Sequence, residues 1–332
     1  MSRAQETVAG VEAPRRLPLW QRLLPWLIAV ACFGYLYNRL AAAAGPEQTL
    51  VSYMVDVFAR VSWGRWLALM IPYSAFFFLI DSLVVWRVVN WFNTPVRFVD
   101  ILPIRGSSYI LSIINEQVGK GAMGIYLYRR HGVPGWEVGS SMLFIMFCEF
   151  YYLLGWALLG YAISRVSLPD VFGLIPGLAV VALLFFAVFV LFASGRITLG
   201  SSLRDRAIFS SFRRARVWQY GALILLRSPA LLAAVFVYSA AAGLFGIDVN
   251  VGTMLGYAPV VFFGAATPGP MRSVAITLWV FLFPEHPGQA AAFGFVQHNF
   301  FIFFNAAIGV LFLRRANREL FGAAPAPAAD PP

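Results

Sequence analysis

Long apolar runs recur along the chain, and most of its charged residues fall between them. Six runs, Leu23–Ala44, Trp66–Asn90, Val138–Ser164, Val171–Gly195, Val217–Leu244 and Pro287–Leu313, reach the ~20 residues that an α-helix needs to cross ~30 Å of hydrocarbon. A transmembrane barrel would instead show shorter segments of alternating polarity. Two further runs are interrupted. Phe98–Tyr128 is broken at Arg105-Gly-Ser-Ser and again between Asn115 and Gly121, and Asn250–Phe283 is broken between Ala266 and Pro270. Each is long for one span and short for two. In Val51–Val61, the apolar residues Val51, Met54, Phe58 and Val61 follow helical spacing. In 203–218, Leu203, Ile208, Phe209 and Phe212 alternate with arginines. Both segments read either as helices lying on a membrane or as amphipathic connectors packed on a bundle.

Composition narrows the class. Hydrophobic residues make up 60% of the 332, aromatics 16% and charged residues 12%, and mean hydropathy is +0.73. No soluble domain can cover its surface with such a mixture. The expected fold class is therefore all-α: a polytopic membrane helix bundle of about six full spans plus two broken or re-entrant helical hairpins. The net charge of +10 comes almost wholly from arginine, Lys120 being the single lysine. Cations at the ends of apolar runs suit anionic lipid headgroups, so the partners expected are membrane lipids, with a lipid synthase or transport protein beside them, and no nucleic acid. Residues 1–17 and 319–332 read as solvated, disordered tails around a membrane domain at 18–318. Leu23–Ala44 also has the look of a signal peptide, although Arg39 interrupts that pattern. Cys32 and Cys148 are too few and too scattered for a disulfide frame or a metal site, and no cofactor is implied.

Positive charge orients the spans. The stretch from Arg196 to Arg216 holds six arginines against Asp205 alone and is expected to face the cytoplasm, with both termini. A single crossing by Phe98–Tyr128 would put that stretch on the same side as the sparsely charged loop Gly45–Arg65. A hairpin returning to its starting side removes the conflict, and the same parity makes Asn250–Phe283 a hairpin from the opposite face. Two tight full hairpins satisfy parity equally well. The expected arrangement is inverted, as in transporters that build a site near the midplane, in an inner membrane of the cell.

Charges inside spans mark candidate chemistry, since each costs ~2.5 to 3.5 kcal/mol at a helix centre without a partner or a cavity. Counted from their nearer ends, Asp81, Glu149 and Arg227 lie on three helices at a similar depth of roughly 15 Å. They are expected to form one buried polar cluster, as a ligand site or as an ion network that fixes helix register. Glu116 and Lys120 share a helical face, with Gly119 and Gly121 permitting a backbone break. Lys120 would hold a lipid phosphate there or be neutralised by Glu116. On the other hairpin, Pro268, Gly269 and Pro270 end one half-helix and start the next, leaving Arg272 near an anion-friendly helix N-terminus. His298, Asn299 and Asn305 on the last span either line a cavity or bond between helices.

No P-loop, G-x-S-x-G or H-E-x-x-H motif is present. The run from Asn115 through Gly119 and Lys120 to Arg129, Arg130, His131, Gly132 and Val133, then Cys148-Glu149-Phe150, and later Ala266-Thr267-Pro268-Gly269, resembles the transmembrane region of lysylphosphatidylglycerol synthases and its stand-alone flippase-like relatives. Glu149 lines up with a carboxylate of that family, while Lys120 takes the place of a glutamate and Pro270 that of a glycine. The resemblance implies handling or translocation of a lipid between leaflets, whether phospholipid, glycolipid or polyprenyl-linked. Two rivals stand beside it: a membrane-embedded lipid-modifying enzyme using Asp81, Glu149 or Glu116 as acid or base, and a non-transporting scaffold for a lipid synthase.

Overall fold

The computed structural model describes residues 19–114, 116–197, 200–265 and 272–321, and of 19–22, 25, 111–114, 116–122, 316, 317 and 319–321 the backbone only. Both expected tails lie outside the described residues except at 319–321, which are helical. Among the described residues there are 13 α-helices and no strand, and six helices are long and apolar enough to cross a membrane. The chain is an all-α polytopic helix bundle.

The six long helices are α1 (Leu19–Ala44), α3 (Trp63–Phe92), α6 (Gly135–Ser164), α7 (Ile175–Ala193), α10 (Val217–Gly243) and α13 (Pro287–Phe321). The helix α7 starts later than the apolar run suggests. Residues Asp170–Leu174 form a 3-10 turn, and Pro176 then sits in the first turn of the α-helix, where its missing N–H costs nothing. The helix α13 continues past Leu313 to Phe321. Between α1 and α3, the short α2 (Leu50–Ala59) is capped by Thr49, whose hydroxyl accepts from the Ser52 amide at 3.1 Å.

The segment 203–218 takes the connector form rather than one surface helix. It divides into α8 (Ser201–Arg204), a 3-10 turn and α9 (Ser210–Arg214). Serine contacts hold it on α6: the Ser211 amide donates to Ser140 Oγ at 2.9 Å, and the Ser141 and Ser211 hydroxyls lie 3.0 Å apart. Phe212 is buried there against Phe144 and Phe147.

Both interrupted runs are helical hairpins. The first joins α4 (Phe98–Ile114) to α5 (Glu116–His131), and the second joins α11 (Val251–Ala265) to α12 (Ser273–Leu282). At 1.5 Å per residue none of the four exceeds ~26 Å, short of an upright crossing. They open from opposite faces. One face gathers the end of α3, the starts of α4, α6 and α10, and the end of α13: Trp86 Nε1 donates to the Val96 carbonyl at 2.8 Å, Arg214 to the Phe92 carbonyl at 2.8 Å, and Arg315 pairs with Asp100 at 2.9 Å. The far face gathers the ends of α1, α6 and α10 and the start of α13: Arg39 donates to the Pro284 carbonyl at 2.6 Å and Ser239 to the Val249 carbonyl at 2.6 Å.

Glycines let each hairpin approach its long neighbour closely. A Cβ on Gly309 of α13 would lie 2.9 Å from the Gly106 carbonyl carbon of α4, and one on Gly160 of α6 would lie 2.6 Å from the Gly256 Cα of α11. Small residues at such crossings supply packing where water exclusion cannot.

Candidate functional site

Asp81, Glu149 and Arg227 meet, as their depth suggests, and a fourth charge joins them. Arg227 on α10 donates to Glu149 on α6 at 2.6 Å and to Asp81 on α3 at 3.4 Å. Arg105 on α4 donates through Nε to the other Asp81 oxygen at 2.5 Å, and Tyr109 Oη donates to that oxygen at 2.7 Å. Three long helices and one arm of the first hairpin are thereby tied to one another. Two guanidiniums stand against two carboxylates, so the cluster carries no formal net charge into this depth.

The two acids are not equivalent. Asp81 is 4% exposed and accepts from three side chains, whereas Glu149 is 36% exposed and, among the described residues, accepts a hydrogen bond from Arg227 alone. Arg105 is also partly open, at 25%. The network is sealed at Asp81 and open along its Glu149 and Arg105 edges.

Sequence reasoning missed Arg105 and Tyr109 as members, having read Arg105 as part of a break in the apolar pattern. The helix runs unbroken through it. Pro103 falls in the second turn of α4, and the Ser107 hydroxyl bonds back to the Pro103 carbonyl at 2.5 Å. The usable signal was a lone arginine in an apolar segment, the same signal that singled out Arg227.

A less charged path leads from this network toward the second hairpin. Tyr152 of α6 and Tyr73 of α3 lie within electrostatic reach of Arg227. The Tyr73 and Tyr238 rings meet edge to face at 5.6 Å, and Tyr238 of α10 stands beside Gln297 of α13. Gln297 and Asn305 are fully buried; Tyr238 lies within hydrogen-bonding reach of Gln297, whereas the Asn305 amide has no hydrogen-bond partner among the described residues. A buried amide without partners costs free energy unless something polar reaches it. His298 accepts from Trp279 Nε1 at 3.3 Å, and Asn299 bonds the Phe295 carbonyl of its own helix at 2.7 Å. Trp156 donates to Ser228 at 3.0 Å beside the Pro229 interruption of α10, and Ser228 in turn holds the Ile224 carbonyl.

Arg272 stands apart from the four-charge network. It caps α12 in the left-handed region (φ 52°), and its guanidinium donates to the Ala265 carbonyl at 3.1 Å. That contact satisfies the end of α11, and Arg272 remains within electrostatic reach of Tyr238 and His298. Pro268, Gly269 and Pro270 lie outside the described residues. Of Glu116, Gly119, Lys120 and Gly121 only the backbone is described, and it is continuous helix from Glu116 to His131, so α5 shows no break at the two glycines. Asn115, between α4 and α5, lies outside the described residues.

Among the described residues, no three His, Cys, Asp or Glu side chains gather as a metal site would require. Compared with protein-family models, with curated proteins and with solved structures, the chain matches none of them.

Proposed function

We propose that this chain passes the headgroup of an anionic membrane lipid between leaflets, with the Asp81–Arg105–Arg227–Glu149 network as the midway station. The observation that carries this reading is the asymmetry of the network: Arg227 has one fixed acid, Asp81, and one open acid, Glu149. A phosphate arriving at the open edge competes with Glu149 for Arg227, and the displaced carboxylate turns out along that edge while Asp81 keeps both guanidiniums in place. Charge-assisted bonds from guanidinium to phosphate are strong and geometrically specific, and they offset the cost that bars a bare phosphate from hydrocarbon. The hairpins enter from opposite faces, the arrangement used by transporters of inverted topology. The positive-inside rule puts the arginine-rich face and both termini in the cytoplasm, consistent with an inner membrane. The likeness of the Asn115–Val133 run and Glu149 to flippase-like lipid proteins points the same way.

Liposomes holding the purified protein and phosphatidylglycerol with a fluorescent headgroup test this. Wild type is expected to expose inner-leaflet label to an impermeant quencher faster than protein-free liposomes do, and Arg227→Ala to return the rate to background. Glu149→Gln, which keeps the shape and removes the competing charge, is expected to hold the lipid more tightly and so slow its release. Wild-type liposomes that match protein-free ones would refute transport of this lipid. A second reading draws on the neutrality of the network: a permanent ion clamp inside a scaffold. Under it, no variant changes lipid movement, and a partner protein co-purifies with the folded chain.

A further inference from the structure

A second polar site lies at the far face, away from the four-charge network. A cavity of about 430 Å³ opens between α2, the end of α10 and the start of α13, with Asp56, Arg60, Gln48, Tyr53 and Gln289 on its walls. That volume is in the range of small-ligand sites. Its depth is set by its walls: α10 ends at Gly243, α13 begins at Pro287, and α2 lies between two spans. The helix α2 buries Val57 while Val51 and Val55 stay outside, as suits a helix lying at a membrane surface. The cavity therefore sits at headgroup level.

Its walls are built rather than incidental. Gly246, at φ 81°, closes α10 with the paired bonds of a Schellman turn, Ile247 N to the Ala242 carbonyl and Gly246 N to the Gly243 carbonyl, both at 3.1 Å. The Tyr53 ring rests directly on Gly288, where a Cβ would stand 2.5 Å from Tyr53 Cζ. Asp56 and Arg60 are one helical turn apart, the spacing at which opposite charges usually pair. They do not pair: Arg60 has no ion-pair partner among the described residues, and Asp56 has only a long 3.5 Å contact from Gln48. A carboxylate, a guanidinium and two amides thus face one space with their capacity largely unspent.

We infer that this cavity holds the headgroup of a zwitterionic phospholipid of the phosphoethanolamine type, its ammonium on Asp56 and its phosphate on Arg60. An anionic headgroup without an ammonium satisfies Arg60 but leaves Asp56 facing a like charge. The inference rests on the lipid-handling reading above and deepens it by giving the far leaflet its own recognition site, yet it is tested by binding, without transport.

The full chain in detergent, mixed with equal amounts of phosphatidylethanolamine and phosphatidylglycerol, is assayed for retained lipid by native mass spectrometry. Wild type is expected to favour phosphatidylethanolamine by about tenfold, the factor that one charge-assisted contact gives. Asp56→Asn should erase the preference, lowering phosphatidylethanolamine retention and raising that of phosphatidylglycerol. Arg60→Gln should lower retention of both, and Gly288→Ala, by pushing Tyr53 into the space, should do the same. Asp56→Asn should lower phosphatidylethanolamine retention equally in wild-type and Glu149→Gln backgrounds, so failure of transport and failure of this site read out separately. Equal retention of both lipids by wild type, or a preference that survives in the Asp56→Asn, Arg60→Gln double variant, would overturn the inference. Displacement of the lipid by an equal concentration of soluble glycerophosphoethanolamine would reassign the site to a free solute.

Discussion

Asp81→Ala is expected to be the most damaging single change in the polar network, costing ~3 to 5 kcal/mol of stability, the usual penalty for breaking a buried pair. The reason is local. Asp81 accepts from Arg105, Tyr109 and Arg227 at once, so its removal strands two guanidiniums against the single carboxylate of Glu149. Thermal unfolding in detergent should show a midpoint lower by on the order of 10 °C. Asp81→Asn, which keeps an acceptor for Tyr109 but loses the charge, should fall between alanine and wild type. The double variant Asp81→Ala, Arg105→Ala restores one cation to one anion, and it should lose less than the two single variants added together. Strict additivity would mean that Asp81 and Arg105 do not depend on each other.

Valine at Gly309 or at Gly160 is expected to have an effect of similar size for a different reason. Both positions face the backbone of a hairpin arm across a helix crossing, Gly106 in one case and Gly256 in the other, so no side chain can swing aside to make room. Overpacking of ordinary cores costs ~1 to 3 kcal/mol, and contact with backbone belongs at or above the top of that range. Each variant should shift its hairpin off its long partner, lowering the yield of monodisperse protein and abolishing lipid movement. Gly34→Val is the control, since a Cβ there meets nothing within 4 Å. If Gly309→Val and Gly160→Val behave like Gly34→Val, the hairpins are not held by these crossings.

The architecture was largely legible because the bilayer leaves few choices. Backbone polar groups at membrane depth must be satisfied within the segment, so uninterrupted apolar runs become helices, and the arginine distribution sets how they alternate. Depth counting along those helices brought Asp81, Glu149 and Arg227 to one level before any geometry was known. Arg105 was not legible as their partner, because a hairpin arm has no fixed register against the spans until Gly106 and Gly309 fix it. Tyr109 is one turn further along the same arm and shares that ambiguity. Arg272 illustrates the opposite limit: its place near a helix start was readable, but the Ala265 carbonyl that occupies it depends on how the hairpin closes. The stretch 203–218 looked amphipathic yet divides, because Ser211 finds partners in Ser140 and Ser141 of α6, and Phe212 finds burial there, that a regular surface helix would forgo.

A headgroup can reach Arg227 only if the open edge of the network is wet. The direct measurement is thiol reactivity at Glu149→Cys, with Cys32 and Cys148 replaced by alanine, in intact membranes with a charged, membrane-impermeant reagent. The comparison is Leu184→Cys on α7, whose native side chain is 63% exposed on a helix with little buried surface. Glu149→Cys is expected to react much faster than Leu184→Cys although its native side chain is the less exposed of the two. Equal, negligible labelling at both positions would place Glu149 against hydrocarbon or packed protein, and no headgroup could then reach Arg227.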